Sequence, residues 1–238
     1  MRLALRSRLS RLLLAPSLLL ALPAVAAPLA PNAAVHQRAL AAFRTLHARA
    51  PHAEADWAAN QPGIHMLLNL DQPLLGDTVA QQGERFLRAN EALLGVSAGV
   101  LHAGLPTVSK QRTVLRYQQM ARVAGRDLRV LDGEVTLTLD NANGHLLRVV
   151  SAATPVGTVA AGTLTREAAV AKASEAVAGA TFGRAQPATA EEAVLAGHDG
   201  ARHVWIVHVP GASPKDLRTL AVDAVTGQVH QLPNRVID

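Results

Sequence analysis

The stretch RYQQMARVAGRDLRVLDGEVTLTLDNANGHLLRVV, Arg116 to Val150, decides how the chain is read. Val135, Leu137 and Leu139 alternate with Glu134, Thr136 and Thr138. That period of two sends three apolar side chains to one face of a strand and three polar ones to the other. Asp140 to Gly144 supplies Asn and Gly for a turn, and Leu146 to Val150 forms the returning strand. Tyr117, Gln118 and Gln119 fall on an earlier strand, separated from the hairpin by a bend at Gly125.

On the N-terminal side, Val35, Ala39, Leu40, Phe43 and Leu46 recur at helical spacing, which predicts a helix from Asn32 to Arg49 that ends before Pro51. A strand from Ile64 to Leu70 follows the Pro62-Gly63 turn. The next helix has Thr78 and Gln81 as a capping box and Gly95 as its C-terminal cap. Gly83 inside it costs about 1 kcal/mol relative to Ala, so packing must hold that helix. Residues 153–163, rich in Ala, Thr, Gly and Pro without period, read as a linker. A second helix–sheet pattern begins at Leu164. Thr165 is its N-cap, Ala169, Val170, Ala173, Ala176 and Val177 form its stripe, and Gly179 ends it. Four strands are expected after it, over 191–196, 202–209, 217–223 and 228–232.

The first 26 residues read as a secretory signal. Arg2, Arg6, Arg8 and Arg11 precede an apolar run from Leu12 to Leu22, and Ala24-Val25-Ala26 forms a small-x-small cleavage site. Four of the 23 basic residues lie there, leaving 19 against 18 acidic ones. A near-neutral mature chain with no basic block gives no sign of nucleic-acid binding. Cysteine is absent, so a secreted or periplasmic form relies on its core rather than on disulfides.

Catalytic signatures are also missing. The sequence contains no H-E-x-x-H, G-x-S-x-G, phosphate-binding loop or dinucleotide fingerprint. The nearest grouped histidines are His198, His203 and His208. His203 and His208 are an odd number of residues apart on one strand, so they face opposite sides and are expected to be ordinary sheet residues. Asp223 is expected to fix the turn at Thr226-Gly227 through backbone hydrogen bonds. The chain is expected to be no enzyme, with no cofactor, no metal and no membrane span after cleavage.

Two resemblances organise these features. Tyr117-Gln118-Gln119, the Gly125 bend, Gly133-Glu134 and the Asn143-Gly144 turn resemble the propeptide domain of fungalysin-type and thermolysin-type secreted metalloproteases. Arg126 and Asp127 intervene after the bend, and Arg129 stands where the family has Pro, which implies a longer bend. Leu164-Thr165-x-Glu167-x-Ala, Trp205-x-Val207 and the closing Val222-Asp223-Ala-Val-Thr-Gly227 resemble the PepSY domain. The resemblance implies an α+β fold of two small cystatin-like domains, each an antiparallel sheet packed by one or more helices. Their expected bounds are 63–152 and 164–238, after a helical segment at 27–62. It also implies an exported, non-catalytic propeptide-like protein that inhibits a secreted zinc metalloprotease or assists its folding. The tail residues Leu232, Pro233, Asn234, Arg235, Val236 and Ile237 are the expected protease contacts. The alternatives are a truncated precursor acting in cis and an envelope binding module with no protease partner.

Overall fold

A tight turn and a wide bulge within one hairpin set the shape of the molecule. The computed structural model describes residues 31–59, 61–177, 187–197, 200–210 and 217–233. The expected signal segment, Gly179 and His198 lie outside them. In chain order the elements are α1 (Pro31–His47), β1 (Glu54–Asp56), β2 (Met66–Leu68), β3 (Gln72–Pro73), α2 (Val79–Ala89), α3 (Glu91–Leu94), a 3-10 turn (Ala98–Val100), β4 (Leu101–Ala103), β5 (Thr107–Val108), β6 (Arg112–Val123), β7 (Arg126–Asp140), β8 (His145–Ser151), α4 (Arg166–Ala176), β9 (Thr189–Gly197), β10 (Gly200–Val209), β11 (Arg218–Asp223) and β12 (Val229–Gln231).

The bend between β6 and β7 is not longer than two residues. Ala124 (φ 48°) and Gly125 (φ 83°) both take the left-handed conformation, and Val123 pairs directly with Arg126. Two positive φ values match the twist of the flanking strands, so Arg126 and Asp127 continue the strand instead of lengthening the loop. Further along, Gln118 stands opposite Glu134 while Met120 stands opposite Arg129. Gln119 therefore faces the whole segment Val130 to Gly133, with Asp132 at φ 62°. A bulge of this size bends its strand. On one side of it, residues 135–139 of β7 pair with β8; on the other, Val130 pairs in parallel with Val194 of β9.

That switch of neighbours overturns the expected architecture. Among the described residues the molecule is mostly β: one twelve-stranded mixed sheet curls into a half-barrel carrying four helices, with β1-β2-β8-β7-β9-β10-β11-β12 as its main order. β6 continues the sheet beside β7, and β3, β4 and β5 pair with β8 or β6. It is not two small antiparallel sheets. Hairpin signals are local, whereas the β7–β9 pairing joins distant residues without turn chemistry to announce it.

Helices α1, α2 and α3 cover one face of the N-terminal strands. Phe86, Leu87, Leu93 and Leu94 pack there with Leu137 and Val149. Thr78 Oγ1 accepts the Gln81 amide at 3.2 Å, and Gln81 Oε1 accepts from the Asp77 amide at 3.2 Å, so the capping box closes one residue early. Asn90 interrupts the predicted single helix, donating its side-chain amide to Phe86 O at 2.8 Å, and Gly95 (φ 76°) caps α3. Pairing in the predicted 64–70 strand is confined to Met66–Leu68, because Asn69 turns the chain at φ 55°.

Helix α4 packs over the C-terminal strands through Ala169, Ala173 and Val177, against Val207, Val209, Leu220 and Val222. Alanine at its two fully buried positions lets the helix lie close to the sheet. Between the two ends, Ala121, Val123, Leu128 and Val130 share a cluster with Val159 and Val194. The 153–163 segment carries no helix or strand, yet its Ala153 and Val159 are buried.

Candidate functional site

The Tyr-Gln-Gln triplet is held inside the protein rather than offered at an edge. Tyr117 is 2% exposed and packs in the N-terminal core. Burial, with the Glu84 carboxylate adding to it, pushes its phenol up to about 12. Gln118 Nε2 donates to Val130 O and Gly133 O, both at 2.8 Å, satisfying carbonyls that the bulge removes from the ladder. Gln119 acts as a one-residue strand: its Nε2 donates to Thr154 O at 2.6 Å and its Oε1 accepts from Thr154 N at 3.1 Å. A Cβ on Gly133 would come within 3.0 Å of Gln119 Cβ and 2.8 Å of its Oε1, so glycine is needed where this amide crosses the bulge. Glu134 lies beside them, accepting from the Thr136 hydroxyl at 2.9 Å with Arg116 Nε at 3.8 Å. Gly144 (φ 73°) completes the next turn, its amide donating to Asp140 O at 2.8 Å.

Where β7 meets β9, charges of opposite sign face each other. Arg126 pairs with both oxygens of Glu192, and Arg129 pairs with Glu191. One strand over, His203 is 3% exposed, and its Nδ1 accepts the Gly162 amide at 3.0 Å. The neutral ring then carries its proton on Nε2, which lies 3.6 Å from Glu192 Oε1 and has no hydrogen bond among the described residues. Burial lowers the His203 pKa; Glu192 opposes that, Arg126 adds to it, and Asp223 opposes it. Sequence reasoning assigned no role to Arg126, Glu192 or the His203–Gly162 bond. The one available signal was the pair of like-charged couples, Arg126/Arg129 and Glu191/Glu192, on two separated strands.

The C-terminal end of the sheet collects most of the remaining residues. Trp205 Nε1 donates to Leu164 O at 2.9 Å and ties β10 to the start of α4. Asp223 Oδ1 accepts the Val225 and Thr226 amides, each at 2.8 Å. Burial works against the Asp223 carboxylate, but hydrogen bonds from Thr226 and Val225 outweigh it, and the pKa is lowered overall. Gly227 (φ 73°) closes that turn against Lys172. Among the described residues β12 pairs only with β11, so its other side pairs with no described strand. Leu232 follows, its amide bonded to Thr219 O at 3.0 Å and its side chain set against Ala193, Val204, Ile206 and Ala221. Pro233 is exposed. Asn234, Arg235, Val236 and Ile237 lie outside the described residues. Of the expected contact residues, Leu232 packs against the protein's own core and Pro233 beside it is exposed.

Chemically, the side of β12 that pairs with no described strand can offer backbone hydrogen bonds to another strand. His203 and His208 do face apart, His208 Nδ1 sharing a hydrogen bond with Thr219 Oγ1 at 3.0 Å. Among the described residues no three His, Asp or Glu side chains gather as a metal site. Likewise, no described helix is long and apolar enough to cross a membrane.

No family model matches the chain, and no curated protein matches it. Among solved structures it is similar to the Bacillus megaterium YpeB C-terminal domain, at 10% identity and a TM-score of 0.35 over 83% of this chain and 97% of that one.

Proposed function

We propose that this chain is an exported, non-catalytic binding protein that docks a partner by strand addition at β12, and that the partner is a secreted zinc metalloprotease which it inhibits or helps to fold. The observation that carries the proposal is the side of β12 left unpaired among the described residues, followed directly by Leu232, which packs into the sheet, and the exposed Pro233. An unpaired strand side offers main-chain hydrogen bonds to an incoming strand, and the residues that follow it in sequence, Val236 and Ile237 among them, supply side chains for pockets. The protease as partner comes from the sequence resemblance of the Tyr117-Gln118-Gln119 and Trp205–Gly227 segments to propeptide and PepSY domains.

The test adds residues 27–238 to a thermolysin-type enzyme and follows peptide hydrolysis. Because Leu232 packs into the sheet, truncation belongs after Pro233. Residues 27–233 should keep the fold and lose most of the inhibition. Unchanged activity at large molar excess over several such enzymes would refute the inhibitory reading, and unchanged recovery on refolding them would refute the assisting one.

A further inference from the structure

The face of β6, β7 and β8 that bears no helix holds a second feature, unrelated to the β12 edge. Leu137, Leu139 and Val149 point into the helix-covered core, so Thr138 and its cross-strand partner Arg148 point the other way. Arg112, opposite Asp140 on β6, shares that face. A cleft of about 510 Å³ opens over them, with His52, Asn69 and Asp71 at its rim. Arg112 bonds Ser109 Oγ through its backbone, but neither the Arg112 nor the Arg148 guanidinium group makes an ion pair or a hydrogen bond among the described residues. Asp71, the one acid lining the cleft, is engaged by His145 Nδ1 at 2.7 Å. Asp140 is turned to its own loop, accepting the Ala142 amide at 2.9 Å.

Thr138 is the decisive residue. It is 3% exposed, and its hydroxyl has no hydrogen-bond partner among the described residues. A buried hydroxyl left unpaired destabilises a fold unless something else supplies the bond. Strands about 4.8 Å apart with a rise of about 3.4 Å per residue place the Arg112 and Arg148 Cα atoms roughly 12 Å from one another. That separation lets two extended arginine side chains meet above Thr138. The rim adds a constraint, since Asn69 (φ 55°) and Asp71 (φ 39°) are both held in the left-handed conformation without being glycine.

We propose that this cleft binds a small phosphate-type dianion, its oxygens clamped by the Arg112 and Arg148 guanidinium groups and met from below by the Thr138 hydroxyl. Paired guanidinium forks match a tetrahedral dianion, and a single carboxylate satisfies fewer of these donors. The proposal stands apart from the protease reading and survives if that fails.

Titration calorimetry of inorganic phosphate into the purified chain, at fixed ionic strength in chloride, tests it. One phosphate should bind per chain. R112Q and R148Q should each weaken binding about tenfold or more. T138V should weaken it several-fold without lowering the melting temperature, because the substitution removes an unpaired hydroxyl. R166Q, at the start of α4, should leave binding unchanged, and acetate should bind at least about tenfold more weakly than phosphate. Absence of saturable phosphate binding would overturn the proposal. So would binding indifferent to both R112Q and R148Q in folded variants, or acetate binding as tight as that of phosphate.

Discussion

Gly83 of α2 and Tyr117 of β6 compete for one volume: a Cβ added to Gly83 would collide with the Tyr117 hydroxyl and press on Leu115 Cδ1. This explains a glycine in mid-helix, which sacrifices about 1 kcal/mol of helix propensity relative to Ala. The gap lets the only tyrosine ring in the chain lie under the helix. Gly83→Ala is therefore expected to destabilise by about 1–3 kcal/mol, against its propensity gain. In a Tyr117→Phe background the penalty should shrink, because the atom struck first is gone. Urea unfolding of the two single variants and the double variant measures the coupling.

The same ring can be titrated without interference. Tyr117 should ionise near 12 in the folded protein and near 10 when unfolded, as read by tyrosinate absorbance. A raised phenol pKa means the native state holds its proton longer than the unfolded one. This contribution to stability is complete below about pH 10 and is lost as pH climbs toward 12. Tyr117→Phe should remove that alkaline loss. A folded midpoint at 10 would show the ring to be solvated.

His203 gives the opposite sign at the acidic side. Burial lowers its pKa, so below about pH 6.5 the unfolded chain takes up a proton that the folded chain resists. Stability is retained above that pH and falls as the solution is acidified through the window beneath it. His203→Gln keeps an acceptor for the Gly162 amide and does not titrate. It should flatten the pH dependence between the ordinary histidine value and the carboxylate range. Asp223, whose pKa is lowered, loses its own contribution at lower pH, as pH falls below the usual carboxylate value.

Much of the local structure can be read directly from residue types. Alternation at Val135, Leu137 and Leu139 placed a strand, Thr165 placed a helix start, and Asp223 with Gly227 placed a turn, because each of these rests on neighbours within a few residues. The global architecture could not be read this way. The bulge opposite Gln119 depends on Gly133 leaving room for an amide that bonds Thr154, and the β7–β9 contact depends on Val130 meeting Val194. Neither relation has a period. The candidate sites divide similarly. The turn residues were legible, while the Arg126–Glu192 pair, the His203–Gly162 bond and the unpaired Thr138 hydroxyl arise only when distant strands are laid side by side.

The central structural claim is that the strands form one sheet continuous through β7 and β9, and two tryptophans at its opposite ends can test it. Trp57 packs near Phe43 and His36 at the N-terminal end, and Trp205 sits beside α4 at the C-terminal end. In Trp205→Phe the fluorescence reports Trp57 alone, and in Trp57→Phe it reports Trp205 alone. Each variant is unfolded in urea while fluorescence and far-ultraviolet circular dichroism are recorded on the same sample. A continuous sheet predicts that the two signals coincide in both variants as a single transition. A tryptophan transition displaced from the dichroism transition in either variant, with the dichroism curve itself resolving into two steps, would contradict it.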